Sequence, residues 1–281
     1  MTRGRFARAG ALGVVVVAAL AVSTGCAPAS GPPSTGGAVR LPPQGAGFDY
    51  QLGGAYPPSD GVDIVVRDRT APPAGAGYDV CYVNGFQTQP EDSAAVARDR
   101  PELLVAGVDG PLVDAGWPDE YLFDTSSEAS RSQLVDLVGE QIRGCAADGY
   151  AADEIDNLDS YTRSDGALTW ADNRSLAEAY VRIAHDAGLA VAQKNTAEHA
   201  EELAAAGFDF AVAESCAAVA ECDDYSAVYP AVLDVEYVDE TSRDDFLAAC
   251  GDADPRVSMI RRDLQLVAPP ASGHVFEACA S

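Results

Sequence analysis

The chain has 281 residues, and 47% of them are hydrophobic, so it can bury a large core and wholesale disorder is excluded. Its 44 acidic side chains outnumber 18 basic ones, and the formal net charge of -26 has the wrong sign for binding nucleic acid phosphates. Lys194 is the only lysine, and the sequence contains no P-loop, His-Glu-x-x-His, Gly-x-Ser-x-Gly or Gly-x-Gly-x-x-Gly motif. These absences exclude the commonest nucleotide-binding, zinc-protease and serine-hydrolase classes.

The N-terminus has the pattern of an export signal. Three arginines precede a short apolar run at residues 9–22, which is too short for a stable membrane span. Ser23-Thr24-Gly25-Cys26 resembles a bacterial lipobox, which predicts removal of residues 1–25 and lipidation of Cys26. Ordinary secretory cleavage and a retained anchor are the alternatives. Residues 26–46, rich in Pro, Gly, Ser and Ala, are predicted to form a flexible linker to a domain at 47–281. The protein is therefore expected on the outer face of the cytoplasmic membrane, or secreted.

Six cysteines remain once Cys26 is assigned to lipid, and an even number in an exported chain indicates disulfides. Cys216 and Cys222 are close enough in sequence to close a small loop. The other four, Cys81, Cys145, Cys250 and Cys279, have pairings that the sequence leaves open. No Cys-x-x-Cys occurs and the three histidines lack ligand spacing, so neither a metal nor another cofactor is expected.

From residue 48 onward, short apolar runs alternate with amphipathic stretches. The predicted strands are nearly continuous in apolarity, as in sheets covered on both faces, and span 48–54, 62–68, 78–84, 150–156, 189–195, 208–214, 231–237 and 256–262. Helical spacing of apolar residues predicts helices between the strands, the clearest at 127–147 and 172–187, each followed by a glycine. Eight strands with intervening helices predict a (β/α)8 TIM barrel of the α/β class, with a doubly wound sheet as the alternative. The segment 121–124 has no place in this count, and we interpret it as an insertion or an additional strand.

Most predicted strands end in polar residues, which a barrel would gather at one mouth, where active sites of this fold lie. These residues are Asp68, Asn84, Asp156, Asn157, Lys194, Asn195, Glu214 and Glu236. A pair of carboxyl groups facing each other across such a mouth can cleave a glycosidic bond. Asp156 and Glu214, on strands four and six, are the best candidates because alternate strands contribute to one layer. Other acids nearby are expected to orient substrate or to raise a catalytic pKa: Asp153, Glu154, Asp159, Glu221 and Glu236.

A family resemblance supports this hypothesis. The segments FDYQLGG, CYVNGFQTQP, EIDNLDSY, AQKN, FAVAESCAAVAEC and VEY resemble, in order, the endo-α-1,4-polygalactosaminidase family, glycoside hydrolase family 114. The resemblance implies a (β/α)8 barrel that hydrolyses α-1,4-linked galactosamine polymers with retention of configuration. It also implies Asp156 as nucleophile and Glu214 as acid/base. Residues implied to line the mouth are Asp49, Tyr50, Asp68, Tyr82, Asn84, Asn157, Asp159, Tyr161, Lys194, Asn195, Glu236 and Tyr237. Family members commonly read Glu-Glu-Cys where this chain has Glu214-Ser215-Cys216.

The charge fits such a substrate, since the expected mature chain, at -29, would attract a partly deacetylated and therefore cationic polymer. An acidic surface that serves only solubility is the other interpretation. Lys194, surrounded by acids, is expected to stay charged and to pair with a catalytic carboxylate rather than act as a nucleophile or base. The Cys216–Cys222 disulfide would stiffen the loop after Glu214. A monomeric, lipid-anchored hydrolase of a galactosamine-containing polysaccharide is the main hypothesis, and a non-catalytic lipoprotein that binds the same polymer is the alternative.

Overall fold

The computed structural model describes residues 39–279. The predicted signal peptide, Cys26 and most of the predicted linker lie outside these residues. The end of the linker, residues 39–46, packs against the domain. Arg40 Nη1 donates to the Gly77 carbonyl at 2.8 Å, and the Tyr78 hydroxyl donates to the Arg40 carbonyl at 2.7 Å. The folded part therefore begins no later than Val39, because these contacts fix backbone that composition alone assigned to the linker.

Within residues 39–279 a single sheet of nine strands forms the centre of the domain, with strand order identical to chain order. The first eight strands are parallel, each paired with the next, and β9 pairs antiparallel with β8. This sequential order confirms the barrel and excludes the doubly wound alternative, in which the order reverses within the sheet. The strands are β1 Gly47–Tyr50, β2 Val62–Asp68, β3 Tyr78–Asn84, β4 Ala152–Asp156, β5 Ala190–Lys194, β6 Phe210–Glu214, β7 Val232–Tyr237, β8 Val257–Arg262 and β9 Phe276–Ala278.

The barrel is nearly closed at the seam between β1 and β8. These strands adjoin, but the ladder on that edge of β8 is made with β9. Arg262, which is fully buried, crosses the seam. Its Nη1 contacts Asp49 Oδ1 at 3.1 Å and donates to the Tyr50 carbonyl, while its Nε donates to the Val275 carbonyl at 2.8 Å. A charged side chain thus supplies hydrogen bonds that a continuous ladder would have made.

Helices follow each strand from β3 to β7 and cover the outside of the barrel. They are α1 Pro90–Asp99, α2 Glu128–Asp148, α3 Trp170–Ala187, α4 Ala200–Ala206, α5 Cys216–Val219, α6 Cys222–Ser226 and α7 Arg243–Asp252. Gly149 and Gly188 end α2 and α3 in the left-handed conformation, with φ of 95° and 86°, as the sequence predicts. The first two connections, 51–61 and 69–77, contain no helix, contrary to the strict alternation expected, because both are short and rich in Gly and Pro.

The core has two layers that follow from the alternation of side chains along each strand. One set of residues, including Tyr78, Val80 and Tyr82 on β3, fills the barrel interior. The intervening set, including Cys81 and Val83, packs outward against the helices. Residues that end a strand in the inward set are therefore placed at the barrel mouth.

The long connection between β3 and β4 contains an irregular segment, residues 104–123, held by isolated bridges such as Gln87 with Leu122 and Leu104 with Phe123. This confirms the insertion interpretation of 121–124.

Disulfides join Cys81 to Cys145, Cys216 to Cys222 and Cys250 to Cys279, so the predicted small loop is closed and the open pairings are resolved. None of the helices within residues 39–279 has the length and apolarity needed to cross a membrane.

Candidate active site

Three consecutive strands each end in a charged side chain that points into the barrel mouth. Asp156, Lys194 and Glu214 are the last residues of β4, β5 and β6. Each is followed by a residue with positive φ: 65° at Asn157, 49° at Asn195 and 58° at Ser215. The left-handed conformation turns the chain sharply away from the strand, so the charged side chain stays at the rim instead of being covered by its own loop.

Lys194 lies at the centre of this group and is almost fully buried. Its Nζ is 3.2 Å from Asp156 Oδ2, 3.4 Å from Glu214 Oε2 and 3.2 Å from Glu154 Oε1. Burial lowers the pKa of Lys194, but the surrounding carboxylates outweigh it, and the net pKa lies well above its ordinary value. The ammonium therefore stays charged and pairs with the carboxylates.

Asp156 is held in its ionised form. Its Oδ2 accepts from the Tyr82 hydroxyl at 2.7 Å and from Lys194 at 3.2 Å, and its Oδ1 accepts from the Asn157 amide at 2.6 Å. Burial raises the pKa of Asp156, yet the Lys194 charge and these hydrogen bonds together bring it below its ordinary value. An ionised carboxylate is the form that can attack an electrophilic carbon.

Glu214 is more exposed than Asp156, with 32% of its side chain accessible against 15%. Asn195 fixes it from two sides, donating from Nδ2 to Glu214 Oε2 at 2.9 Å and accepting from the Glu214 amide at 2.8 Å. The Tyr237 hydroxyl donates to Oε1. The carboxyl group is thus oriented but open to solvent on one side, as proton exchange with a substrate and with water requires.

The two carboxyl groups are close together. Because one ammonium contacts both, Asp156 Oδ2 and Glu214 Oε2 cannot be further apart than the sum of 3.2 Å and 3.4 Å. Retaining glycosidases hold their two carboxyl groups roughly 5–5.5 Å apart, and inverting ones about 6.5–9.5 Å. The bound on this pair of oxygens admits the spacing of a retaining enzyme.

A cavity of about 730 Å³ opens above these side chains. Ten of the fourteen sequence-predicted site residues line it: Tyr50, Asp68, Tyr82, Asp156, Asn157, Asp159, Lys194, Asn195, Glu214 and Tyr237. Its volume lies in the range of pockets that enclose small ligands. The polar strand ends therefore meet in one site, as the barrel interpretation requires.

Four predicted mouth residues lie elsewhere. Asp49 and Glu236 each occupy the alternate, outward position of their strands; Asp49 bonds Arg262, and Glu236 accepts from the backbone amides of Ala217 and Ala218. Asn84 is buried beneath the insertion, where its Nδ2 donates to Glu120 Oε2 at 2.9 Å. Tyr161 packs beside Trp170 and His199 outside the cavity. These four residues support the site from behind or beside it and are not part of its lining.

Several lining residues were absent from the sequence prediction. Glu120 and Trp117 come from the insertion, and Arg163 follows β4. Arg163 joins the insertion to the rim, since it donates to Asp114 Oδ2 at 2.7 Å, to Asp159 Oδ2 at 2.7 Å and to Asn157 Oδ1 at 2.8 Å. The segments that carry these residues have neither strand nor helix periodicity, so the sequence pattern did not indicate them. Arg163, a single basic residue among acidic ones, is the one signal that could have done so.

The loop after Glu214 is tied at both ends. The Cys216–Cys222 disulfide closes it, and buried Asp234 accepts from the Cys216 amide at 3.0 Å.

Two groups of side chains within residues 39–279 have the spacing of metal ligands, Cys81–Cys145–Asp153 and Cys216–Cys222–Asp234. In both groups the sulfurs are engaged in a disulfide, so they are not thiolate ligands.

The sequence model of glycoside-hydrolase family GH114 matches residues 29–281. The chain belongs to this family. It is accordingly a glycosidase, and the paired carboxylates at the mouth are of the kind that glycoside hydrolysis needs. None of the curated proteins matches this GH114 chain.

Two solved structures share the fold of this GH114 member. Ega3 from Aspergillus fumigatus, solved in complex with galactosamine, aligns with a TM-score of 0.68 at 20% identity, over 86% of this chain and 98% of its own. The glycoside hydrolase domain of PelA from Pseudomonas aeruginosa aligns with a TM-score of 0.55 at 15% identity, over 82% of this chain and 97% of its own. Both are similar over nearly their full length, so the barrel is a complete counterpart of theirs.

Proposed function

We propose that this protein is a retaining glycosidase that hydrolyses α-1,4-linked galactosamine polymers, with Asp156 as nucleophile and Glu214 as general acid/base. The observation that carries the proposal is the single ammonium of Lys194 in contact with both carboxylates, which limits their separation. The lowered pKa of Asp156 and the greater exposure of Glu214 support this division of the two roles.

The reaction would proceed in two displacements. Asp156 attacks the anomeric carbon, the glycosidic C–O bond breaks, and the proton of Glu214 passes to the departing oxygen. The Glu214 carboxylate then takes a proton from water, whose oxygen attacks the same carbon and releases Asp156. Charge moves from Asp156 to Glu214 during the first step. Lys194 lies between them and can stabilise the carboxylate in both states.

The substrate assignment draws on charge and on fold. Further acids line the cavity beside the catalytic pair, among them Asp68, Glu91 and Glu240. The Ser215 hydroxyl donates to Glu240 Oε2 at 2.5 Å and orients it at the rim. Such a lining favours a cationic amino sugar over a neutral one. Ega3, the structural neighbour with galactosamine bound, is consistent with this class of ligand.

The proposed cellular location is the outer face of the cytoplasmic membrane, with Cys26 lipidated after removal of residues 1–25. The support is the lipobox-like Ser23-Thr24-Gly25-Cys26 and three disulfides, which form in oxidising compartments. Metabolic labelling with a fatty acid analogue tests the lipid. Label on the parent and none on Cys26→Ser is the expected result, and unlabelled parent protein would contradict it.

Substitution of the nucleophile tests the proposed reaction. Asp156→Asn is expected to lower turnover of galactosamine oligomers at least about a thousandfold, because an amide does not attack the anomeric carbon, while oligomer binding persists. Asp159→Asn is the matched control, an acid of the same loop that lines the cavity but pairs with Arg163. It is expected to change KM and to keep most of kcat.

Product stereochemistry provides an independent check. Proton NMR at early times should show the α-anomer of the new reducing end before mutarotation. A β-anomer first product, or an Asp156→Asn variant that turns over like the parent, would overturn the assignment.

A further inference from the structure

Glu154 is the third carboxyl group on Lys194, and it is not exposed to the cavity. Its side chain is fully buried. Its Oε1 lies 3.2 Å from Lys194 Nζ and accepts from the Tyr50 hydroxyl at 2.6 Å, and Lys194 in turn donates to the same hydroxyl at 3.1 Å. Its Oε2 has no hydrogen-bond partner among residues 39–279. A group so enclosed cannot touch a sugar, so any effect on the reaction must pass through the cavity residues that it contacts, Lys194 and Tyr50.

The proposed mechanism places a demand on this triangle. In the proposed first step Glu214 gives up a proton, and the Lys194 ammonium lies 3.4 Å from its carboxyl group. A cation this close favours the ionised form of a carboxyl group, and a second anion on the same cation offsets part of that attraction. Glu154 contacts the ammonium and takes no part in bond making.

We infer that Glu154 is a positioning residue that acts on the general acid Glu214 through Lys194, by neutralising part of the charge of the ammonium that both carboxyl groups contact. The inference rests on the proposed function, and it adds a residue that acts through another.

Glu154 is expected to change its charge near neutral pH, and the tyrosines around it are not. Burial raises the pKa of Glu154 to about 7, against the opposing charge of Lys194 and with a further rise from Asp156. Burial also raises the pKa of Tyr50, Tyr82 and Tyr237 well above the ordinary value, so these hydroxyl groups remain neutral. Arg262, at the barrel seam, is paired with Asp49. The titratable groups that face Glu154 inside the barrel are Tyr50, Tyr82, Asp156, Lys194, Glu214 and Tyr237.

The effect is expected on one limb of the pH profile only. On the basic limb, where Glu214 loses its proton, Glu154 is ionised and delays that loss. On the acid limb, where Asp156 gains a proton, Glu154 is already protonated and as uncharged as glutamine. Glu154→Gln is therefore expected to move the basic limb of kcat/KM down by about one pH unit and to leave the acid limb in place.

Two further variants separate charge from shape. Glu154→Asp keeps a carboxylate but shortens the side chain, so its basic limb should lie closer to that of the parent than the basic limb of Glu154→Gln does. A purely structural role predicts the reverse order, because glutamine keeps the shape and aspartate does not. Asp153→Asn is the matched control, since Asp153 is the adjacent buried acid on β4 and faces outward beside the Cys81–Cys145 disulfide. Its basic limb should not move.

The measurement is kcat/KM of the full chain on galactosamine oligomers from about pH 3 to 10, after circular dichroism shows that each variant is folded. A basic limb that stays in place in Glu154→Gln, or moves equally with the acid limb, would overturn the inference. If Glu154→Gln does not fold, Glu154→Asp decides, since a basic limb displaced downward by the full shift of about one pH unit, although the carboxylate is retained, contradicts the inference. Absence of oligomer cleavage by the parent would instead remove the proposed function.

Discussion

Lys194 is buried with three carboxylates, and its charge balance affects stability as well as chemistry. Removing one partner of a buried ionic group leaves uncompensated charge, which costs about 3–5 kcal/mol. Lys194→Met is expected to lower the free energy of unfolding at pH 7 by about that amount, as measured by urea denaturation. The variant should also lose its turnover, because Asp156 and Glu214 lose the cation between them.

The pH dependence of this loss has a defined sign. In the parent, the pKa of Asp156 is lowered by folding, so Asp156 contributes stability above its unfolded pKa and the contribution disappears as pH falls through the folded pKa. Without Lys194, the buried Asp156 and Glu154 lose the charge that lowers their pKa values, so they take up protons at higher pH. The gap between variant and parent should therefore narrow from pH 7 to pH 4. A gap that is constant over this range would show that Lys194 contributes packing and not charge.

At the same scale, the sequence located the central residues because each is the last polar position of an apolar run. Asp156, Lys194 and Glu214 follow from that rule alone. The rule does not state which face of the strand a residue occupies, and it placed Glu236, which lies on the outward face of β7, at the mouth. Asp49 was placed there by the family resemblance. In a strand a shift of one residue reverses the side chain. The pairing of Asp49 with Arg262, 213 residues away, has no local signal.

Elements were predicted more completely than residues. All eight parallel strands were expected, because a strand covered on both faces leaves a continuous apolar run. The three-residue β9 was missed, since Phe276–Ala278 is too short and too exposed to show a pattern. The insertion between β3 and β4 was recognised only as a segment without a place, and its contribution to the cavity depends on long-range hydrogen bonds from Arg163.

The insertion presents an exposed aromatic at the cavity rim. Trp117 is 49% exposed, and buried Asp114 fixes its loop by accepting from the amides of Gly116 and Trp117. An indole face binds a protonated amino sugar through cation–π and apolar contact. Trp117→Ala is expected to raise KM for galactosamine oligomers about tenfold, equivalent to about 1.4 kcal/mol, with kcat near that of the parent. Val108→Ala is the control, a fully exposed apolar residue of the same insertion outside the lining, and it should leave KM unchanged.

Two of the disulfides are expected to differ in their main contribution, one to stability and the other to activity. Cys81–Cys145 spans 64 residues and Cys216–Cys222 spans 6, so chain entropy assigns about 4 kcal/mol to the first and about 2 kcal/mol to the second. The shorter one, however, closes the loop directly after Glu214. Removing Cys216–Cys222 with alanines should lower kcat several-fold, and removing Cys81–Cys145 should lower the melting temperature more. Equal losses of kcat in both variants would contradict the positioning role of the short loop.

At the scale of the whole molecule, the charge is concentrated in the part of the chain that the structure describes. All 44 acids and 15 of the 18 basic residues lie within 39–279. Either the total charge or the acids at the cavity could attract a cationic polymer. The two possibilities differ in the position at which a neutralised acid matters, because at physiological ionic strength a charge acts over about 8 Å.

Paired variants with the same change in net charge therefore distinguish them. In an Asp156→Asn background, which is expected to bind without cleaving, Glu91→Gln with Glu240→Gln neutralises two exposed acids of the cavity rim. Asp136→Asn with Glu140→Gln neutralises two exposed acids on α2 outside the cavity lining. Calorimetry gives the Kd for a galactosamine oligomer at several salt concentrations. In the Asp156→Asn parent, binding should weaken as the salt concentration rises. The slope of log Kd against log salt should decrease for the rim pair only. Equal slopes for the two pairs would show that the overall charge attracts the polymer and that the rim acids have no special part in binding.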